Sequence, residues 1–313
     1  MEPKEPRSVS VRQAIISPLV PHLSSDVQTG RGGFFVFTIS LYSVVCMTLF
    51  EWQLLISFFV GGSFVAFLTL FTEKLPRHLA GLILGMPSVV AIGLFFMAWT
   101  ISPEEVARII PATLVPLGLA ALFPCFYIPV AQKLESTRFS CFSKILMSLF
   151  VATIIWCIFA IPYAWYEINT LWINMMVYVI LVWAAYFYLH QQNPPKPKAI
   201  SYSWSQKLGR GAFVGLLMVA ILLGGKYGGP FWAGLITIFP IVGASSLIIF
   251  HYYYSPQALI PAFQKYPLGN ISICVYVLVV METFPRIGFV YGTIAAFFVS
   301  FIALFLLSKV AKI

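Results

Sequence analysis

Lys265 is the one charged side chain set well inside an apolar stretch, about seven residues into a segment running from 258 to 281. An ionisable group at that depth is costly to bury and marks a functional position by default. Its amine would neutralise an anionic group on a substrate, or it would reach back to the surface along its alkyl stem. Arg108, one turn into the stretch 105–130, is expected near the opposite face and is a second, weaker cationic candidate on the same path. Thr113, Ser245, Ser246 and Asn270 offer neutral donors and acceptors to the same cavity, although each of these residue types also serves in helix packing. Pro87 and Pro240 fall near the middle of apolar stretches, and Pro116 and Pro267 interrupt two more. Proline removes a backbone donor and clashes with the preceding turn, so these four are expected as hinge or unwinding points.

The elements that must hold these residues are membrane helices. The chain has 313 residues, 60% hydrophobic and 9% charged, where a soluble domain carries about 25% charged residues. Nearly uncharged apolar stretches recur from residue 33 to the C-terminus, each close to the roughly 20 residues that cross a bilayer as a helix. The spacing predicts ten spans, at 33–50, 53–72, 78–99, 105–130, 139–162, 168–190, 207–225, 229–253, 258–281 and 285–309. A single helix over 33–72 would be about 60 Å long, twice the hydrocarbon thickness, so a turn is expected at Glu51-Trp52.

Charge asymmetry gives the orientation. With ten spans, 15 of the Lys and Arg residues fall on one side and only Arg108, Lys226 and Arg286 on the other. The rich side is expected to be cytosolic. Both termini would then be cytosolic in a multi-pass protein of a cytoplasmic-type membrane such as a bacterial inner membrane. The net charge of +9 follows from these loops, and no nucleic-acid partner is implied. Residues 1–32 read as a cytosolic tail.

Residues 80–103 and 233–256 are identical at ten of 24 aligned positions, including Pro87/Pro240 and the Ser-Pro pairs Ser102-Pro103 and Ser255-Pro256. Slightly further on, Pro116-Leu117-Gly118 matches Pro267-Leu268-Gly269. The fold class expected is therefore an all-α integral membrane protein of about ten transmembrane helices, built as two inverted five-helix repeats, 33–162 and 163–313. Five spans separate matched partners, and an odd number inverts the copies. Inverted repeats with interrupted helices are a recurrent plan of secondary transporters, with the site near the midplane.

Some absences narrow the chemistry. The one aspartate, Asp26, lies in the tail, and the glutamates fall at loops or span ends. No carboxylate pair, histidine cluster or phosphate loop is legible, so an enzyme, a metal site and a cofactor are not expected. The five cysteines, at 46, 125, 141, 157 and 274, show no CxxC spacing.

The stretch from Glu73 to Pro87, EKLPRHLAGLILGMP, resembles the basic-loop, Gly, Leu-Pro pattern of small GlpM-like bacterial membrane proteins. The five-plus-five plan resembles the drug/metabolite transporter superfamily in architecture, which implies alternating access but carries no residue across. The expected function is secondary transport of a small neutral or anionic solute or a lipid-like molecule, in contact with membrane lipids and with the oligomeric state open. A non-transporting scaffold and a lipid-modifying membrane enzyme are the competing readings.

Overall fold

A backbone inside lipid must satisfy its own hydrogen bonds, and the apolar stretches do so as helices. In a computed structural model, which describes residues 48–73, 87–191 and 203–310, all regular elements are helical. They are α1 (Leu49–Glu73), α2 (Ser88–Thr100), α3 (Pro103–Glu135), α4 (Cys141–Trp165), α5 (Leu171–His190), α6 (Trp204–Gly228), α7 (Pro230–Ile238) and α8 (Ile241–Tyr253). A short 3-10 helix (Pro256–Ala258), α9 (Leu259–Phe263) and α10 (Tyr266–Val310) follow. The expected tail 1–32, most of the span 33–50 and the start of the span 78–99 lie outside the described residues.

Six stretches among the described residues are long and apolar enough to cross a membrane, which makes the chain a multi-pass membrane protein. Local chemistry sets their starts. Thr48 Oγ1 accepts from the Glu51 N–H, and Glu51 Oε2 accepts from the Thr48 N–H at 2.7 Å. This reciprocal capping box starts α1 at Leu49, so no single helix covers 33–72. Ser102 caps α3 by accepting from the Glu105 N–H, with Pro103 in its first turn. Ser140 does the same for α4 through Ser143.

The sequence places two spans, 258–281 and 285–309, where the structure has one helical run, α10. That run contains a non-helical residue, Gly288, at φ 77 and ψ 165. The chain reverses there. The rings of Tyr276 and Phe297 lie 5.3 Å apart, whereas a straight helix would separate them by roughly 30 Å. A Cβ on Gly292 would fall 2.6 Å from the Phe284 ring, which puts the two arms in close contact just beyond the bend. Glycine takes the left-handed region without steric cost, and this turn requires it.

The long helix α3 runs through the centre. Of its most apolar stretch, 83% is buried inside the protein, against 28% for α4 and 22% for α5. α4, α5, α7 and the first arm of α10 pack around it. The outward faces of α4 and α5 carry Phe142, Phe150, Ile158, Trp172, Met176 and Ile180, all exposed, as lipid-facing surfaces do. α1 and α6 form a close antiparallel pair. A Cβ on Gly62 would lie 2.8 Å from the Gly211 carbonyl oxygen, and one on Gly211 the same distance from the Gly62 oxygen. Only glycine permits backbones to approach this closely.

Candidate functional site

Two helices that start at prolines, α2 and α8, pack beside α3. α7 ends at Ile238 and α8 begins at Ile241, with Pro240 as N-cap at φ -74 and ψ 54. α2 begins in the same manner, with Pro87 as N-cap at φ -73 and ψ 29. Both α2 and α8 are 13 residues long. Each is followed by an extended serine, Ser102 or Ser255, and then by a proline that starts the next helical segment. The joint before α8 lies against an aromatic wall. The Phe239 ring is 5.1 Å from that of Trp156 and 6.1 Å from that of Phe123. On its far side, the Tyr266 hydroxyl packs against Gly243, so close that a Cβ there would lie 2.9 Å away.

A second joint separates α9 from α10, at Gln264 and Lys265. Lys265 lies in that turn, partly buried, and its carbonyl accepts the Gly269 N–H. Pro267 follows in the first turn of α10, where its missing N–H costs nothing. Pro87, Pro240 and Pro267 thus sit at helix starts. Pro116 does not: α3 remains helical through Pro111, Pro116, Pro124 and Pro129. The interruption expected there is absent, and side chains from neighbouring elements hold the backbone instead. The Asn169 amide bridges the Arg108 carbonyl (2.7 Å) and the Ala112 N–H (3.2 Å), the pair that an undistorted helix would join directly. Asn174 donates to the Pro111 carbonyl at 2.9 Å, and Trp156 Nε1 donates to the Pro116 carbonyl at 3.2 Å.

Asn270 is fully buried and ties the centre together. Its Nδ2 donates to the Leu117 carbonyl at 3.3 Å, and the Tyr178 hydroxyl donates to its side-chain and main-chain oxygens at 3.1 and 3.2 Å. The two Pro-Leu-Gly segments, 116–118 and 267–269, therefore face each other through Asn270. Ser245 and Ser246 both donate to the Val242 carbonyl, one turn back in α8. Thr113 donates to the Ile110 carbonyl and lines a cavity with Ile109, Pro116, Tyr163 and Phe231. The cavity measures about 10 Å³, the space of roughly one water molecule.

Arg108 lies apart from this centre. It is half exposed, paired with Glu105 at 2.6 Å, and its guanidinium sits 5.3 Å from the centroid of the Phe231 ring. From Leu117, where Asn270 docks, it is about 13 Å along the axis of α3. Four participants carried no signal in the sequence: Tyr178, Trp156, Asn169 and Asn174. Each looks like an ordinary interfacial or packing residue until its partner, 40 to 92 residues away, is known. The same holds for Tyr127 and His251, buried and 2.9 Å apart across 124 residues.

The site is thus a packed, mostly neutral junction of amide, hydroxyl and aromatic groups, with two helix joints and one lysine beside it. Comparison with protein-family models, with curated proteins and with solved structures finds no match to this chain.

Proposed function

We propose that the chain is a secondary transporter, built as two inverted five-helix halves, that moves a small neutral or anionic solute or a lipid-like molecule by alternating access. One observation carries this reading. The two segments that match in sequence, 80–103 and 233–256, contain helices of equal length, α2 and α8, each entered through a proline and left through a Ser-Pro cap. Two further features support it. The matched Pro-Leu-Gly segments face each other, and α1 crosses α6 through reciprocal glycines. Both fit a two-fold relation about an axis in the membrane plane. The ten-span count, with both termini in the cytosol, belongs to this proposal and rests on the charge asymmetry.

Paired helices that each start at a proline, beside a neutral polar centre, suit a substrate held by amide and hydroxyl groups. Lys265 at the α9–α10 joint supplies positive charge to an anionic group. The first experiment is a thermal-shift screen of metabolites and lipids on purified protein, because a specific ligand raises the unfolding temperature. Flux of any hit is then measured in reconstituted vesicles. Lys265→Met should abolish uptake while leaving expression and folding intact, and unchanged uptake would remove Lys265 from the mechanism.

The polar centre, where Asn270 is fully buried and bonded to Tyr178 and to the Leu117 carbonyl, favours a second reading, a membrane scaffold that moves nothing. A membrane partner recovered in stoichiometric amount, with no flux of any bound compound, would decide for it.

A further inference from the structure

Residues 241–263 form a segment with a joint at each end. On one side is the Phe239-Pro240 break, on the other the Gln264-Lys265 turn. Within the segment, α8 and α9 hold each other as a hairpin around the 3-10 turn, with the rings of Phe250 and Phe263 6.2 Å apart at 79°. α8 runs beside the second half of α3 in the same sense, from Phe239 at Phe123 to His251 at Tyr127, and α9 returns in the opposite sense. Gln257 meets Glu135 at the end of α3, while Asn270, beyond the second joint, meets Leu117 near its middle. Two polar contacts tie the segment to α3 at that end. One is the buried hydrogen bond between the Tyr127 hydroxyl and His251 Nδ1, at 2.9 Å. The other, at the surface, runs from Gln257 Nε2 to Glu135 Oε2.

This construction has mechanical consequences. Backbone rotation at a hinge is absorbed by a few residues at element ends, and the body between two hinges moves as a unit. Packed interfaces have discrete arrangements rather than a continuum, so a body fastened by hydrogen bonds has a closed and a released state. Pro240 lacks the N–H that would continue the ladder from α7 into α8, which leaves that joint free to turn. The corresponding stretch of the first half has no second joint: α3 runs unbroken from Pro103 to Glu135. The two halves are therefore mechanically unlike, with one carrying the movable body and the other the rail.

We infer that residues 241–263 are a gate that swings from α3 about joints at 239–240 and 264–265, with Tyr127–His251 and Glu135–Gln257 as its latch. It closes the end of the molecule that carries Lys133, Arg138 and Lys144, the end that charge asymmetry assigns to the cytosol. Its purpose rests on the transport reading, but its existence rests on the joints and the latch alone. Release uncovers the polar centre around Asn270 from that side. Lys265, in the second joint, changes its surroundings whenever the gate moves, which couples the charge to the opening.

The test reads motion without using transport. In protein whose five native cysteines are replaced by alanine, nitroxide labels are placed at Ser136→Cys, on the end of α3, and at Tyr253→Cys, an exposed position at the end of α8. Pulsed electron-spin measurements give the distance distribution with and without Tyr127→Phe, which keeps the ring and removes only the latch hydroxyl. Tyr127→Phe should raise a longer-distance population about threefold, the shift expected for one interhelical hydrogen bond in a membrane protein. A control pair, Ser136→Cys with Met147→Cys on α4, should not change. Identical 136–253 distributions in the two proteins overturn the gate, and so does equal broadening of the control pair. A gate that moves in a protein with no flux leaves this inference standing and removes the transport reading. A rigid segment in a protein that transports does the reverse.

Discussion

α3 and the stretch from α9 into α10 begin from matched sequence and end as different structures. Each follows a Ser-Pro cap, and each carries the motif Pro-Leu-Gly at a matched place, Pro116 in one and Pro267 in the other. α3 is one helix of 33 residues with four internal prolines, whereas its match breaks at Gln264-Lys265 before Pro267. Proline content does not explain the difference. Neighbours do. α3 is enclosed by other helices, and Asn169, Asn174 and Trp156 reach its backbone at and beside Pro111 and Pro116. Pro267 is preceded by Gln264-Lys265-Tyr266 and Pro116 by Thr113-Leu114-Val115, so the more polar of the two runs lies where the helix breaks. There the helix simply restarts, with the proline in its first turn.

If side chains from α4 and α5 keep α3 continuous, removing them should make it resemble its broken partner. Asn174→Leu is the most severe such change. It deletes donors to the Pro111 and Ile168 carbonyls, at 2.9 and 3.0 Å, while also deleting an amide oxygen that is buried without a partner. The expected net loss is about 2 kcal/mol, read by unfolding in mixed detergent, together with faster amide exchange over residues 108–116. Protection equal to the parent protein would mean that α3 needs no such support.

Asn270→Leu attacks the contact between the two matched motifs. It leaves the Tyr178 hydroxyl and the Leu117 carbonyl without their side-chain partner, and about 1 to 1.5 kcal/mol should be lost. The double variant with Tyr178→Phe should recover part of that loss, since both ends of the bond are then apolar. A double-variant stability equal to the sum of the two single losses would show that the residues act separately. The smallest effect is expected at Arg108. Its pair with Glu105 is exposed on both sides, so Arg108→Met should cost under about 0.5 kcal/mol. A much larger loss would place Arg108 in the structural core of the first half after all.

Much of the architecture was legible in the residues. Apolar stretches gave α1 and α3 to α6 within about five residues, because hydropathy and helix length are local properties, whereas the single stretch 229–253 became two helices, α7 and α8. The starts of α2 and α8 at Pro87 and Pro240 follow from proline chemistry, and the Ser102 and Ser140 caps from their short polar side chains. Glu51 and Trp52, expected as a turn, lie instead in the first turn of α1, which the Thr48–Glu51 capping box starts, and the span expected before it lies mostly outside the described residues. The polar centre was half visible. Asn270 and Thr113 stand out as polar residues in apolar stretches, whereas Tyr178 and Trp156 look like belt aromatics.

Residue types alone dictate a set of membrane helices with prolines at matched positions, since burial in lipid and the missing proline N–H act on any backbone that contains them. Which proline starts a helix and which is held inside one depends on packing between distant segments. Whether a distorted turn survives depends on donors and acceptors from segments tens of residues away, as Asn169 shows at Arg108 and Ala112. The pairing of Tyr127 with His251 across 124 residues has the same origin. A hydrogen bond has a geometry of a few ångströms, and no local pattern of residue types encodes which distant side chain will come within it.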